Sequence, residues 1–113
     1  MKKRGKCVIH TNQIIKYIAD SYSISIYDLM YDKQGSIPRL CRKAAIYLIH
    51  LNIPKMSYKG IANKFYGMDK KKIKRAIHSA ETILNKPKEY RAMSGALIFL
   101  KEGVSSLCKN AQD

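Results

Sequence analysis

Basic side chains crowd the segment that follows Asp69. They are Lys70, Lys71, Lys72, Lys74, Arg75 and His78. Ammonium and guanidinium groups bind phosphate oxygens through charge-assisted hydrogen bonds, and a histidine joins them when it is protonated. Nothing in the sequence places a nucleophile beside a general base. The segment therefore predicts the binding of a polyanion, and we expect the chain not to be an enzyme.

The same segment must be helical to present these groups together. Its apolar residues recur at the three- and four-residue spacing of a helix with one buried face. These residues are Ile73, Ala76, Ile77, Ala80 and Leu84. Asp69 is suited to cap the helix, which leaves Lys70 to Lys72 in the first turn, where the helix dipole favours anions. This mismatch, and the repulsion between lysines one turn apart, each cost roughly a few tenths of a kcal/mol. Phosphates would relieve both, so we expect nucleic acid rather than solvent alone on this face.

A shorter apolar pattern precedes this helix. Its members are Ile61, Ala62 and Phe65. Ser57 is a natural cap for the segment, and residues 66–68 leave room for a turn of about three residues in which Gly67 can take a positive φ. The two segments together predict a helix-turn-helix.

Composition bounds the class of protein. The chain has 113 residues, 46% of them hydrophobic and 27% charged, which is typical of one soluble globular domain. Its formal net charge of +14 and pI near 9.8 favour acidic partners, with nucleic acid first and an anionic membrane surface second. Three cysteines without paired spacing indicate no disulfide framework and a cytoplasmic setting. No apolar run is long enough for a signal peptide or a membrane span.

The remaining chain predicts further helices. Residues 1–10 form a basic arm. A first helix, capped by Thr11 or Asn12, ends near Tyr22, and a short second helix runs from Ser25 to Tyr31. A third and central helix has Pro38 in its first position and ends near Leu51. A last helix runs from 87 to 102 and stops at Gly103, followed by a frayed tail over 104–113. We predict an all-α fold, a compact bundle of about five or six helices in one domain over 11–103.

Three segments carry a resemblance to a known family. The first contains Ile26, Asp28 and Leu29, and the second contains Arg42, Lys43, Ala45, Ile46, Tyr47 and Leu48. The third contains Ser57, Ile61, Ala62, Phe65, Gly67, Asp69, Ile73 and Ala76. In order and spacing they resemble the C-terminal DNA-binding domain of the bacterial replication initiator DnaA, over roughly residues 13–100. The resemblance implies a TrpR-like helix-turn-helix fold that reads double-stranded DNA in the major groove, and a role in DNA replication or its regulation.

The sequence departs from that family where bases are read. The family has Arg-Asp-His-Thr-Thr where this chain has Met68, Asp69, Lys70, Lys71 and Lys72. Lysine binds phosphate well but discriminates bases poorly, and the threonine methyl groups that can meet thymine are gone. We therefore expect altered or relaxed sequence specificity. The chain also lacks a phosphate-binding GxxxxGK[ST] loop, so it has no ATPase module.

The residues expected to contact DNA lie in two groups. Those in or along the major groove are Lys70, Lys71, Lys72, Lys74, Arg75 and His78, with Met68 and Asp69 at the start of the helix. Those gripping the flanking backbone are Arg39, Arg42, Lys43, Lys55, Lys59 and Lys64, with Ser57 as the cap between them.

Other interpretations compete with this one. An adaptor protein could keep the same fold and bind an acidic protein partner, or the initiator itself.

Cys7 and His10 have the spacing of half a zinc site, but no second pair follows, so we predict no metal site and no cofactor. The eight tyrosines could stack on the bases of single strands, but their helical spacing favours packing in or beside the core.

Overall fold

A computed structural model describes residues 9–31 and 35–112, the last four of them through their backbone alone. Most of the predicted basic arm, residues 1–8, lies outside this description. The described residues form six α-helices and no strand, so the predicted all-α bundle is confirmed. The helices are α1 (Thr11–Ser21), α2 (Ile26–Met30), α3 (Ser36–Asn52), α4 (Tyr58–Ala62), α5 (Lys70–Asn85) and α6 (Arg91–Gln112).

Helix α3 is the centre of the bundle, as predicted. It packs against all five other helices. A helix so surrounded must be apolar on nearly all sides, and the run from Ala44 to Ile49 is entirely buried. Leu51 continues the helical spacing of Ala44 and Leu48, which predicts it on the packed side, but it lies in the last turn of the helix and is 42% exposed.

Three helix beginnings differ from the predicted ones, and α6 begins at Arg91 rather than at residue 87. Helix α1 begins after His10, whose backbone N–H donates to the Gln13 side chain (2.8 Å), so neither Thr11 nor Asn12 is the cap. Helix α3 begins two residues before Pro38, after Gly35 at φ +123°. Proline is tolerated there because the first turn of a helix has no intrahelical acceptors for its N–H groups.

Helix α6 continues well beyond Gly103, so the predicted stop and the predicted tail over 104–113 are wrong. Val104 and Cys108 are buried in the core. Gly103 serves close approach instead of ending the helix, because a β-carbon at this position would overlap the ring and hydroxyl of Tyr17 on α1. A glycine can either end a helix or allow two helices to approach closely, and the sequence does not distinguish these roles. The packing of α1 on α6 shows that Gly103 has the second role.

The cysteines differ from one another. Cys41 is free and fully buried, and burial raises the pKa of its thiol to about 11, so at neutral pH it stays protonated and packs as a small apolar residue. Cys108 is disulfide-bonded, contrary to the expectation from the odd number of cysteines. Within the described ranges, no helix is both long enough and apolar enough to cross a bilayer.

Candidate nucleic-acid interface

Two predicted capping residues fix the beginnings of the two helices in the helix-turn-helix. The Ser57 hydroxyl accepts the Gly60 backbone N–H (3.0 Å) at the start of α4. The Asp69 carboxylate accepts the Lys72 backbone N–H (2.9 Å) at the start of α5. Both bonds satisfy N–H groups that have no partner inside their helices. The two caps predicted from the sequence are therefore confirmed.

The turn between α4 and α5 is longer than the three residues predicted. Helix α4 ends at Ala62, and α5 begins at Lys70. Phe65 therefore lies in the turn rather than on α4, yet it is only 3% exposed because it still reaches the core. Gly67 takes φ +75°, as predicted. The turn is tied to α2 by a hydrogen bond from the Tyr66 backbone N–H to the Met30 carbonyl (2.8 Å).

Helix α5 separates apolar and basic residues on opposite sides. Its buried residues are Ile73, Ile77, Ala80 and Ile83. Its exposed basic residues include Lys71, Lys74, Arg75 and His78, which we call the cationic ridge. Successive residues in a helix are about 100° apart, so the ridge is centred about 180° from the buried face. The packing of α5 on α3 and α4 thus points the ridge directly at solvent.

No acid among the described residues neutralises the ridge. Lys71, Lys74 and Arg75 form no ion pair with a described carboxylate, whereas Lys16 on α1 pairs with Asp20 at 2.8 Å. Lys72 behaves differently, because its ammonium group donates to the Gly67 carbonyl (3.0 Å) and so folds back over the turn. The ridge remains an uncompensated row of positive charge.

A shallow groove of about 540 Å³ lies between α4 and the start of α5. Its lining includes Lys59 from α4, with Asp69, Lys70 and Lys71 from the start of α5. Three lysines therefore line one cleft beside a helix N-terminus, where backbone N–H groups and the dipole favour an anion. The groove has the chemistry to hold a phosphate group next to the ridge.

The other predicted contact residues surround the motif to different degrees. Arg39 and Lys55 are exposed, whereas Lys43 and Lys64 are half-buried. Met68 is also half-buried and packs against the core, so it is less available to a ligand than the lysines after it. Met68 lines the groove between α4 and α5, whereas the other four residues do not. Those four flank the ridge and the groove rather than forming part of either.

Arg42 differs from the expectation that it grips a phosphate. It is only 9% exposed, and its Nε donates to the Leu29 carbonyl (3.2 Å) at the end of α2. A buried guanidinium needs such partners to offset its desolvation. Arg42 therefore joins α2 to α3, and we assign it to the fold.

Three tyrosines depart from the predicted packing in the core. Tyr27, Tyr31 and Tyr66 are 66%, 49% and 67% exposed. Their rings form a continuous stack: the centroids of Tyr27 and Tyr31 are 4.3 Å apart at 12°, and those of Tyr31 and Tyr66 are 5.6 Å apart at 17°. We call these three residues the tyrosine ladder. The four-residue spacing of Tyr27 and Tyr31 indicates one shared helix face, but no sequence pattern brings Tyr66 to it.

Comparisons with known protein families, with characterised proteins and with solved structures find no match to this chain. The resemblance to the initiator domain therefore stays a prediction made from residues and their spacing. In the described part of the chain, no group of three His, Cys, Asp or Glu side chains is arranged as metal ligands.

Proposed function

We propose that this protein binds double-stranded DNA, with α5 in the major groove and the cationic ridge toward the duplex. The observation that carries the proposal is the position of the ridge opposite the buried face of α5, without a described acid to neutralise it. The ridge spans eight residues, or about 10 Å from the first to the last at 1.5 Å per residue, and the major groove is about 12 Å wide. The dimensions and the charge both suit a duplex.

The chemistry of the ridge favours contacts with the backbone over the reading of bases. Lysine ammonium groups are flexible point charges, and they bind phosphates of any sequence. Arg75 is the one ridge residue with a planar guanidinium, whose fixed fork of donors matches the two acceptors of guanine. We therefore propose relaxed or altered specificity relative to the initiator domain. A role in replication or its regulation rests on the resemblance alone.

The salt dependence of duplex binding tests the proposal. If about six phosphates are neutralised, the logarithm of the affinity falls against the logarithm of the salt concentration with a slope of about −5. Fluorescence anisotropy with a labelled duplex at several NaCl concentrations measures the slope. Affinity that does not change with salt would overturn the proposal.

A charge reversal locates the contact. Lys71→Glu with Lys74→Glu removes two ridge contacts, so we expect the magnitude of the slope to fall by about 2. The matched control is Lys88→Glu with Lys101→Glu, which changes the net charge equally at exposed positions outside α5. If both variants lose the same affinity, net charge and not the ridge drives binding. If only binding to an acidic protein is lost, the adaptor function replaces the one proposed.

A further inference from the structure

The tyrosine ladder collects every exposed tyrosine of the chain in one place. Of the eight tyrosines, Tyr27, Tyr31 and Tyr66 are exposed, and the other five are buried or half-buried. Single exposed apolar groups are ordinary on protein surfaces, but a contiguous exposed group is typical of a binding surface. The contiguous exposure of three aromatic rings is therefore a feature of a binding surface rather than of packing in the core.

The ladder is built from two parts of the chain that the backbone holds together. Tyr27 and Tyr31 lie one turn apart at α2. Tyr66 comes from the turn of the helix-turn-helix, where its N–H bonds to the Met30 carbonyl at 2.8 Å. The rings are within 17° of parallel. A ligand that stacks on them meets aromatic faces that are already oriented, which lowers the entropy cost of binding.

The flat faces at both ends of the ladder select the ligand. Tyr27 and Tyr66 each stack on the ring of Tyr31, and both remain about two-thirds exposed. A nucleobase has a flat aromatic face that stacks on such rings with little regard to sequence. Inside a duplex these faces are covered by neighbouring base pairs, so away from the duplex ends only an unpaired base can present one.

The charges near the ladder favour a nucleic acid strand over an uncharged peptide. The Lys72 ammonium group is held 3.0 Å from the carbonyl of Gly67, the residue after Tyr66. The acid on α2, Asp28, is half-buried and already engaged in an interaction. A strand whose base stacks on Tyr66 thus meets a cation for its phosphate, as in binding sites that combine stacking with a basic track.

We infer that the tyrosine ladder binds unpaired bases of single-stranded DNA next to the duplex held by α5. The inference rests on the proposed function only for the source of that strand, since the ladder itself requires no duplex. The ligand class is single-stranded DNA adjoining a duplex. The ladder supplies the stacking surface, and Lys72 supplies charge beside it.

The test compares two single strands of about 20 nucleotides, one of thymidylate and one of abasic deoxyribose phosphate, at the same salt concentration. Both carry the same backbone charge, so only stacking separates them. We expect the thymidylate strand to bind about five-fold or more tightly, and Tyr27→Ala and Tyr66→Ala to abolish that difference. Tyr27→Phe keeps the ring and should keep the difference.

Two controls make the result specific. Phe99→Ala removes another exposed aromatic ring, from α6, which does not pack against α2, and should leave the difference unchanged. Tyr27→Ala should leave blunt duplex affinity within about two-fold, since Tyr27 lies outside the ridge. Equal binding of the two strands by the native protein, or equal behaviour of Tyr27→Ala and Tyr27→Phe, would overturn the inference. Loss of duplex binding on reversing the ridge tests the proposed function separately.

Discussion

Gly103 lies inside α6, where the ring of Tyr17 occupies the space that a β-carbon would need. Gly95 lies in the same helix with open space around it. The two glycines therefore have the same helix propensity cost but different neighbours. The absence of one side chain at residue 103 allows α1 and α6 to approach closely.

We predict that Gly103→Ala and Gly95→Ala change stability in opposite directions. Gly95→Ala should raise the free energy of unfolding by about 0.5–1 kcal/mol, because alanine is the better helix former. Gly103→Ala should lower it by about 1–3 kcal/mol, because Tyr17 must leave its position. Urea denaturation followed by circular dichroism measures both. A stabilised Gly103→Ala protein would contradict the packing of Tyr17 described above.

At the scale of one element, α5 combines good burial with poor local electrostatics. Lys71 lies in the first turn, near the positive end of the dipole, and Arg75 follows one turn later. The helix dipole and Arg75 both disfavour a cation at residue 71, and no described acid pairs with Lys71. The helix forms because its apolar face is buried against the bundle and because Asp69 caps its first turn.

We predict that Lys71→Glu stabilises the free protein while it weakens DNA binding. An anion in the first turn interacts favourably with the dipole and with Arg75, so the free energy of unfolding should rise by about 0.5–1 kcal/mol. Duplex affinity should fall in the same protein. Lys71→Gln should lie between the native protein and Lys71→Glu in both measurements. If Lys71→Glu lost both stability and affinity, weakened binding would reflect unfolding rather than a lost contact.

Some features of these helices and turns could be predicted from the sequence, and others could not. Ser57, Asp69 and Gly67 were recognisable because each has a local backbone task that its residue type performs. Phe65 was placed on α4 because it continues the apolar spacing of Ile61. That spacing records which side chains reach the core but not whether the backbone between them stays helical.

Tertiary neighbours decided the features that the sequence did not reveal. The burial of Arg42 depends on the Leu29 carbonyl, which is supplied by another helix. The third ring of the tyrosine ladder comes from residue 66, far along the chain from Tyr27. Arginine is mostly exposed unless it is paired, and tyrosine is intermediate, so residue type alone predicts neither a buried Arg42 nor an exposed group of tyrosines.

At the scale of the whole molecule, positive charge opposes folding. The formal net charge is +14, and the ridge concentrates part of this charge on one face, without described acids paired to it. Self-repulsion of this kind destabilises a compact chain, and salt screens it. The salt that is expected to weaken the proposed DNA binding should therefore stabilise the free protein.

We predict that raising NaCl from about 50 to about 500 mM increases the Tm of the free protein by roughly 2–5 °C. The variant with Lys71→Glu and Lys74→Glu loses four units of positive charge, from +14 to +10, and should show a smaller increase. Differential scanning calorimetry without DNA provides the measurement. A Tm that falls with added NaCl would show that screened attractions outweigh the repulsion.

The hydrogen bond from Tyr66 to Met30 has a consequence for protein engineering. The turn that sets the angle between α4 and α5 takes one of its supports from α2, outside the motif. A fragment of residues 57–85 grafted onto another scaffold would leave that acceptor behind, along with the α3 surface on which α5 rests. The helix-turn-helix therefore cannot be transferred by itself, and transplanting it requires residues 26–85 as one piece.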